Sequence, residues 1–310
     1  MNTKRISLRG LFIRELIRGL VSIIKVNGFL LIGKKFSKSN KIYKVPQGYK
    51  NKEFMIDDVK VELLSKRNSI SDKIIIHLHG GAYIIGFLSI YRYIALKYSQ
   101  ASEGAKVLSV DYKVAPKHHY PEALIDAYKA YEWCLKQGYK NGNIIIVGDS
   151  AGGNLAVALT MKLRDEGMPL PKALILMSPW LDLAANGESF LYNLYKDPLF
   201  GFNKNESIMK ALETKTLISS YMSGANAYDP YVSPVYGEFH HFPKMLIQVG
   251  TYEMLESDAE KLYKKAQEAG VDAKLTKYDG MFHSFQLFGP TLPEAKQAWD
   301  EVRDFFKELD

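Results

Sequence analysis

The residues with the means to do covalent chemistry in this chain are a serine between glycines, one late histidine and a few carboxylates. The serine lies in Gly148-Asp149-Ser150-Ala151-Gly152-Gly153. A serine hydroxyl is a poor nucleophile at neutral pH. It needs a base to take its proton, an acid to orient that base, and donors to hold the oxyanion that forms. Gly-x-Ser-x-Gly signals such chemistry when it sits in the turn between a strand and a helix. Here it follows the β-branched run Asn143 to Val147 and precedes Asn154 to Leu163, which is rich in helix formers. Only small residues fit beside so tight a turn, and Gly148 and Gly152 meet that demand. The competing reading is a glycine-rich connection whose serine merely caps a helix. The rest of the chain decides between them.

The base belongs at the end of a late strand, and His283 stands there, in Tyr278-Asp279-Gly280-Met281-Phe282-His283. The other histidines suit structural or solvent-exposed roles. His77 is inside a strand, His79 in a glycine turn, His118 and His119 in a Pro-rich loop, and His240 and His241 just before Phe242-Pro243. The acid belongs after the preceding strand, where Glu253, Glu256 and Asp258 compete. Glu253 falls in the loop, three residues past Gly250. Asp258 falls one turn into a helix, where an acid is also favoured by the helix dipole. Glu253 is the first choice, and Asp258 stays open. The order Ser150, Glu253, His283 is the order of an α/β-hydrolase triad. For the oxyanion, Ala151 offers a backbone N–H at a helix N-terminus, and His79-Gly80-Gly81-Ala82 offers others.

The elements that must position these groups alternate regularly. Lys52 to Ser65 reads as edge strands. Lys73 to Leu78, Ala105 to Val110, 143–147, Ala173 to Met177, Lys244 to Gly250 and 272–278 read as buried strands. Helices are expected over 89–101, from Glu122 to about Gln137, from the serine turn to about Gly167, over 255–269 and from Pro293 to Leu309. This rhythm predicts an α/β fold with a mostly parallel sheet and helices on both faces. It breaks over 183–230, which shows no buried strand, a helical stretch from Asn205 to Met222, and polar turns. An insertion there, at the carboxyl end of a strand, lies where α/β folds carry their sites. Residues 1–45 read as one or two helices. The expected division is N-terminal cap helices over 1–45, a catalytic domain over 46–182 and 231–310, and a cap insertion over 183–230.

Composition narrows the class. With 47% hydrophobic residues in 310, the chain can bury a full core. Its one cysteine, Cys134, excludes a disulfide framework and favours a reducing, cytoplasmic setting. The thiol sits in an apolar helical pattern and reads as packed. The net charge of +7 raises nucleic acid or anionic membrane as partners. No nucleic-acid motif or long basic run accompanies it, so a solvated lysine-rich surface is expected and no nucleic-acid partner. No stretch approaches the ~20 apolar residues of a membrane span. Ile6 to Gly33 mixes Arg9, Arg14 and Arg18 with leucines and isoleucines in an amphipathic pattern. Packing over the protein body is preferred there to contact with a membrane surface.

Several ordered motifs together resemble one family. They are His79-Gly80-Gly81-Ala82, Asp111-Tyr112, Ala115-Pro116 with Tyr120-Pro121, Gly148 to Gly153, Ser178-Pro179-Trp180-Leu181-Asp182-Leu183, Asp229-Pro230 with Ser233-Pro234, and Gly280-Met281-Phe282-His283. Over roughly residues 70–310 the chain resembles the hormone-sensitive-lipase-like family of α/β-hydrolase carboxylesterases. The resemblance implies an α/β-hydrolase fold with a helical cap, Ser150 as nucleophile, His283 as base, and Gly80, Gly81 and Ala151 as oxyanion donors. It implies no metal and no organic cofactor, and a small or medium acyl ester as substrate. The family's usual acid is an aspartate before Pro-Leu; alignment on Leu255 puts Glu253 there, with Met254 replacing the proline. The third glycine of the family turn is Ala82. The resemblance also implies that residues 1–45 and 183–230 form a cap over Ser150, and it allows a homodimer. The aromatics Phe190, Tyr192, Tyr195, Phe200, Phe202, Tyr221 and Tyr228 in that insertion either line an apolar acyl pocket or seal the cap onto the body. A lactone, an acetylated metabolite or an aryl formamide would suit the same machinery. A non-catalytic small-molecule receptor of this fold, in which the histidine is lost, is the alternative of another class.

Overall fold

Isoleucines 74, 75 and 76 show how the sheet is built. Successive side chains of a strand point to opposite faces, so Ile74 and Ile76 enter one core and Ile75 the other. Ile144 and Ile146 divide from Ile145 and Val147 in the same way. A strand apolar on both faces must be covered on both, and helices cover these. The structure is a computed structural model and describes residues 2–24, 43–199 and 219–309.

The strands are β1 (Asn2–Lys4), β2 (Tyr49–Ile56), β3 (Val59–Lys66), β4 (Ile74–Leu78), β5 (Lys106–Asp111), β6 (Ile144–Asp149), β7 (Ala173–Met177), β8 (Lys244–Gly250) and β9 (Ala273–Tyr278). They form one sheet in the order β1-β9-β8-β7-β6-β4-β5-β3-β2. The pairs β2–β3 and β3–β5 are antiparallel and the others parallel. The helices are α1 (Leu8–Ile24), α2 (Ser89–Ala101), α3 (Glu122–Lys136), α4 (Ala151–Asp165), α5 (Ser189–Tyr192), α6 (Ser219–Met222), α7 (Glu256–Glu268) and α8 (Pro293–Glu308). Helices α3, α4 and α7 pack into one core, through residues such as Tyr131, Leu159 and Leu262. Helices α2 and α8 pack into the other, through Tyr98, Trp299 and Phe305. This is the α/β-hydrolase architecture: because β6, β7, β8 and β9 run parallel, the segments that follow them emerge along one edge of the sheet.

Two expectations need correction. The chain does not start as a helix: Asn2–Lys4 is a strand, parallel to β9 in the register Asn2↔Thr276 to Lys4↔Tyr278. Three polar residues carry no readable strand pattern, and the open edge of β9 supplies their order. The helix expected from Asn205 to Met222 lies outside the described residues up to 218, and Ser219–Met222 is helical. No strand occurs among the described residues of 183–230. Among the described residues, no helix is long and apolar enough to cross a membrane.

Candidate active site

Ser150 joins β6 to α4 with φ 53° and ψ −121°, a conformation that costs a non-glycine residue on the order of 1–3 kcal/mol. Its surroundings hold it there. Ser150 N–H donates to the Met177 carbonyl at 3.0 Å, and Trp180 N–H donates to the Ser150 carbonyl at 3.0 Å. A Cβ on Gly148 would strike the Gly152 carbonyl, and one on Gly152 would strike the carbonyls of Leu78 and His79. Close approach therefore demands both glycines. The Ser150 side chain makes no capping bond, so the helix-cap reading fails. Its Oγ is buried and has no hydrogen-bond partner among the described residues.

Three loops converge at the carboxyl ends of the neighbouring strands. After β8, Glu253 turns back so that its Oε1 accepts from Gly250 N–H at 2.6 Å and from Ser178 Oγ at 2.7 Å. Its Oε2 lies 3.0 Å from His283 Nδ1. A Cβ on Gly250 would strike the Met281 carbonyl, so that glycine lets the β8 and β9 loops meet. His283 Nε2 lies 3.2 Å from Ser284 Oγ. The other two carboxylates face elsewhere. Asp258 Oδ2 accepts from the N–H groups of Leu181 and Asp182, each at 2.8 Å. Glu256 pairs with Lys277 at 2.6 Å and accepts from Tyr192 Oη at 2.8 Å.

The electrostatics suit a neutral imidazole. Burial pushes His283 down to about 4, against an opposing pull from Asp197. Burial pushes the Glu253 carboxyl up, while the Gly250 amide and the Ser178 hydroxyl favour its ionised form. With Nδ1–H directed at Glu253, Nε2 is the nitrogen left to accept a proton.

In the glycine turn, Gly80 N–H donates to Asp149 Oδ1 at 3.1 Å. The N–H groups of Gly81, Ala82 and Ala151 make no hydrogen bond among the described residues. Gly81, Ala82 and Tyr83 take successive positive φ values of 121°, 54° and 57°. A Cβ on Gly81 would lie 2.6 Å from the Ile85 carbonyl. The turn is pinned from behind. Tyr112 Oη donates to the His79 carbonyl at 2.5 Å, and the two rings stack at 4.2 Å. His79 Nδ1 lies 2.7 Å from the Gly80 carbonyl.

Sequence reasoning named no role for Ser178, Ser284 or Asp197. Ser178 ends β7 and also accepts from Ser284 N–H at 3.2 Å, and its place at a strand end was the available signal. Asp197 is buried and accepts from Leu199 N–H at 3.0 Å and Met254 N–H at 3.3 Å. No local pattern marked it. The expected pocket aromatics scatter. Phe190 is buried, Tyr221 stacks on Tyr83 at 3.9 Å, and Tyr192, Tyr195 and Tyr228 are about half exposed. Phe200 and Phe202 lie outside the described residues. A groove of about 790 Å³ beside Lys106, Trp133 and Asn143 lies at the amino ends of the strands, away from Ser150.

Residues 75–287 match the family described by the α/β-hydrolase fold. An esterase of Acinetobacter venetianus is 36% identical over 245 residues, covering 79% of this chain and 78% of that one. An acetyl-hydrolase of Streptomyces hygroscopicus is 34% identical over 233 residues, covering 75% of each. Among solved structures, EstE5 soaked with p-nitrophenyl butyrate superposes with a TM-score of 0.84 at 32% identity, over 98% of this chain and 99% of that one. An esterase from the bacterial hormone-sensitive lipase family superposes with a TM-score of 0.82 at 32% identity, over 96% and 97%. On its sheet, its strained serine turn and these likenesses, the chain belongs to the hormone-sensitive-lipase-like family of α/β-hydrolase carboxylesterases and is a carboxylic ester hydrolase.

Proposed function

We propose that the protein hydrolyses small to medium acyl esters by two-step acyl transfer, with Ser150 as nucleophile, His283 as base and Glu253 as the acid that orients it. The contact between Glu253 Oε2 and His283 Nδ1 at 3.0 Å carries this reading, because it selects the tautomer that leaves Nε2 as acceptor. Nε2 leaves Ser284 Oγ and takes the Ser150 proton as Oγ attacks the ester carbonyl. The amides of Gly81, Ala82 and Ala151 receive the oxyanion. His283 then protonates the leaving alcohol, and water attacks the acyl-Ser150 ester with His283 again as base. Ser150 regains its proton as the acid leaves.

Short acyl groups are supported by two likenesses, to an acetyl-hydrolase and to an esterase soaked with p-nitrophenyl butyrate. The test is a panel of p-nitrophenyl esters of rising chain length, run beside lactones and an aryl formamide. A kcat/KM that peaks at acetyl to hexanoyl supports the assignment. Preference for a lactone or the formamide reassigns the substrate, and binding without turnover would favour a receptor.

A further inference from the structure

Helix α1 carries an apolar stripe on the wrong side for a packed helix. Its inner face is fully engaged. Ser7 N–H donates to Glu294 Oε1 at 2.6 Å, Gly10 lies against the Glu294 carboxylate, and Arg14 donates to the Gly280 carbonyl at 3.1 Å. Ile13 and Ile17 pack on the cluster of Tyr278, Phe282 and Phe285. The outer face should then be polar. Instead Leu8, Phe12, Leu16 and Leu20, spaced four apart on one face, are 86%, 68%, 51% and 53% exposed. On another flank of the helix Arg18 donates to the Tyr195 and Lys196 carbonyls. Contiguous exposed apolar surface of this kind marks an interaction face.

Charge says what kind of partner it faces. The first 44 residues hold eleven of the 41 Lys and Arg but one of the 34 acids, Glu15. That segment alone therefore has a surplus of ten positive charges, and the rest of the chain, thirty cations against thirty-three acids, is slightly acidic. Arg5 and Arg9 flank the stripe, are exposed and make no ion pair among the described residues. Glu15 already pairs with Arg14 at 2.8 Å and Arg18 at 3.0 Å. A second copy packed face to face would thus set arginine near arginine with no free acid between them. An apolar stripe edged by the exposed cations Arg5 and Arg9 suits an anionic lipid surface, where side chains enter the headgroup boundary and cations meet phosphate.

We propose that the outer face of α1 docks the protein on anionic bilayers. Because α1 rests on the loop between Gly280 and Phe285, docking brings that face of the esterase to the lipid. The proposal goes beyond the catalytic reading and does not depend on turnover.

The experiment is co-sedimentation of the full chain with phosphatidylcholine vesicles, with and without phosphatidylglycerol. The expected partition is at least about tenfold higher with phosphatidylglycerol and falls as salt is raised. Phe12→Ser with Leu16→Ser lowers it about tenfold, with the far-UV dichroism, the melting temperature and the hydrolysis of p-nitrophenyl acetate unchanged. Arg5→Gln with Arg9→Gln, which spares the stripe, lowers binding to the anionic vesicles and flattens the salt dependence. Ser150→Ala binds as the wild type does, which separates this outcome from any failure of the triad. Equal partition on both vesicle types, or undiminished binding by both double variants, overturns the proposal. So does a wild-type dimer that Phe12→Ser with Leu16→Ser splits, with no vesicle binding, since the face then belongs to a second copy.

Discussion

Gly80 gives its amide hydrogen to the carboxylate of Asp149 at 3.1 Å. The contact ties the glycine turn after β4 to the residue before Ser150, and so sets the spacing between Ser150 and the turn. Burial pushes Asp149 up to about 7, and its carboxyl accepts from Gly80 in either protonation state. Asp149→Asn keeps a carbonyl acceptor and is expected to retain most activity. Asp149→Ala frees the amide and loosens the turn, and its kcat should fall by roughly tenfold or more, short of the 10²–10³ lost when an oxyanion donor is removed outright. Steady-state kinetics on p-nitrophenyl butyrate check both.

The strained φ of Ser150 sets stability against activity. Ser150→Gly relieves a conformation that glycine adopts freely and should stabilise the fold by about 1–3 kcal/mol while abolishing hydrolysis. Ser150→Ala keeps the strain and also abolishes hydrolysis. Thermal melts beside ester assays decide; turnover retained by either variant would sink the role proposed for Ser150.

Glu253 and Asp258 should separate cleanly. Glu253→Gln presents the wrong partner to His283 Nδ1 and is expected to lower kcat by roughly 10³–10⁴. Asp258→Ala strips the acceptor from the Leu181 and Asp182 amides. It should lower stability by about 1–3 kcal/mol for each buried donor left unpaired and leave kcat near the wild-type value. The reverse pattern would move the acid to Asp258.

The pH profile follows from burial. His283 must be neutral to act as base, and its pKa falls from 6.5 to about 4. The acid limb of kcat/KM should therefore lie well below pH 6.5. Asp197 pulls His283 the other way, so Asp197→Asn should move the limb lower still. The depressed imidazole makes a stability contribution that is full above pH 6.5 and is lost as pH falls through about 4. Asp197, raised to about 6 by burial, acts on stability with the opposite sign, so the activity profile is the cleaner readout. An acid limb at or above 6.5 would contradict the buried, neutral base.

What could be read in the sequence was whatever depends on near neighbours. The apolar runs at Ile74–Leu78 and Ile144–Asp149 are strands because β-branched residues buried on both faces have few other uses. Gly148 and Gly152 announce a close-packed turn because any Cβ there collides with backbone. Asn2–Lys4 gave no such sign: three polar residues become a strand only because β9 offers them an edge.

The α/β order of elements, the serine turn and the loops that had to meet it were legible residue by residue, since each rests on local periodicity and on glycines with one steric use. Which groups touch was settled by the packing of segments remote in the chain. It set Glu253 against His283 across 30 residues and turned Asp258 toward the Leu181 and Asp182 amides. It also occupied the Gly80 amide with Asp149, 69 residues away, and left those of Gly81, Ala82 and Ala151 unclaimed among the described residues. A hydrogen bond is settled by tenths of an ångström between segments remote in the chain. Parallel strands fix that distance once they align in register, and residue spacing does not record it.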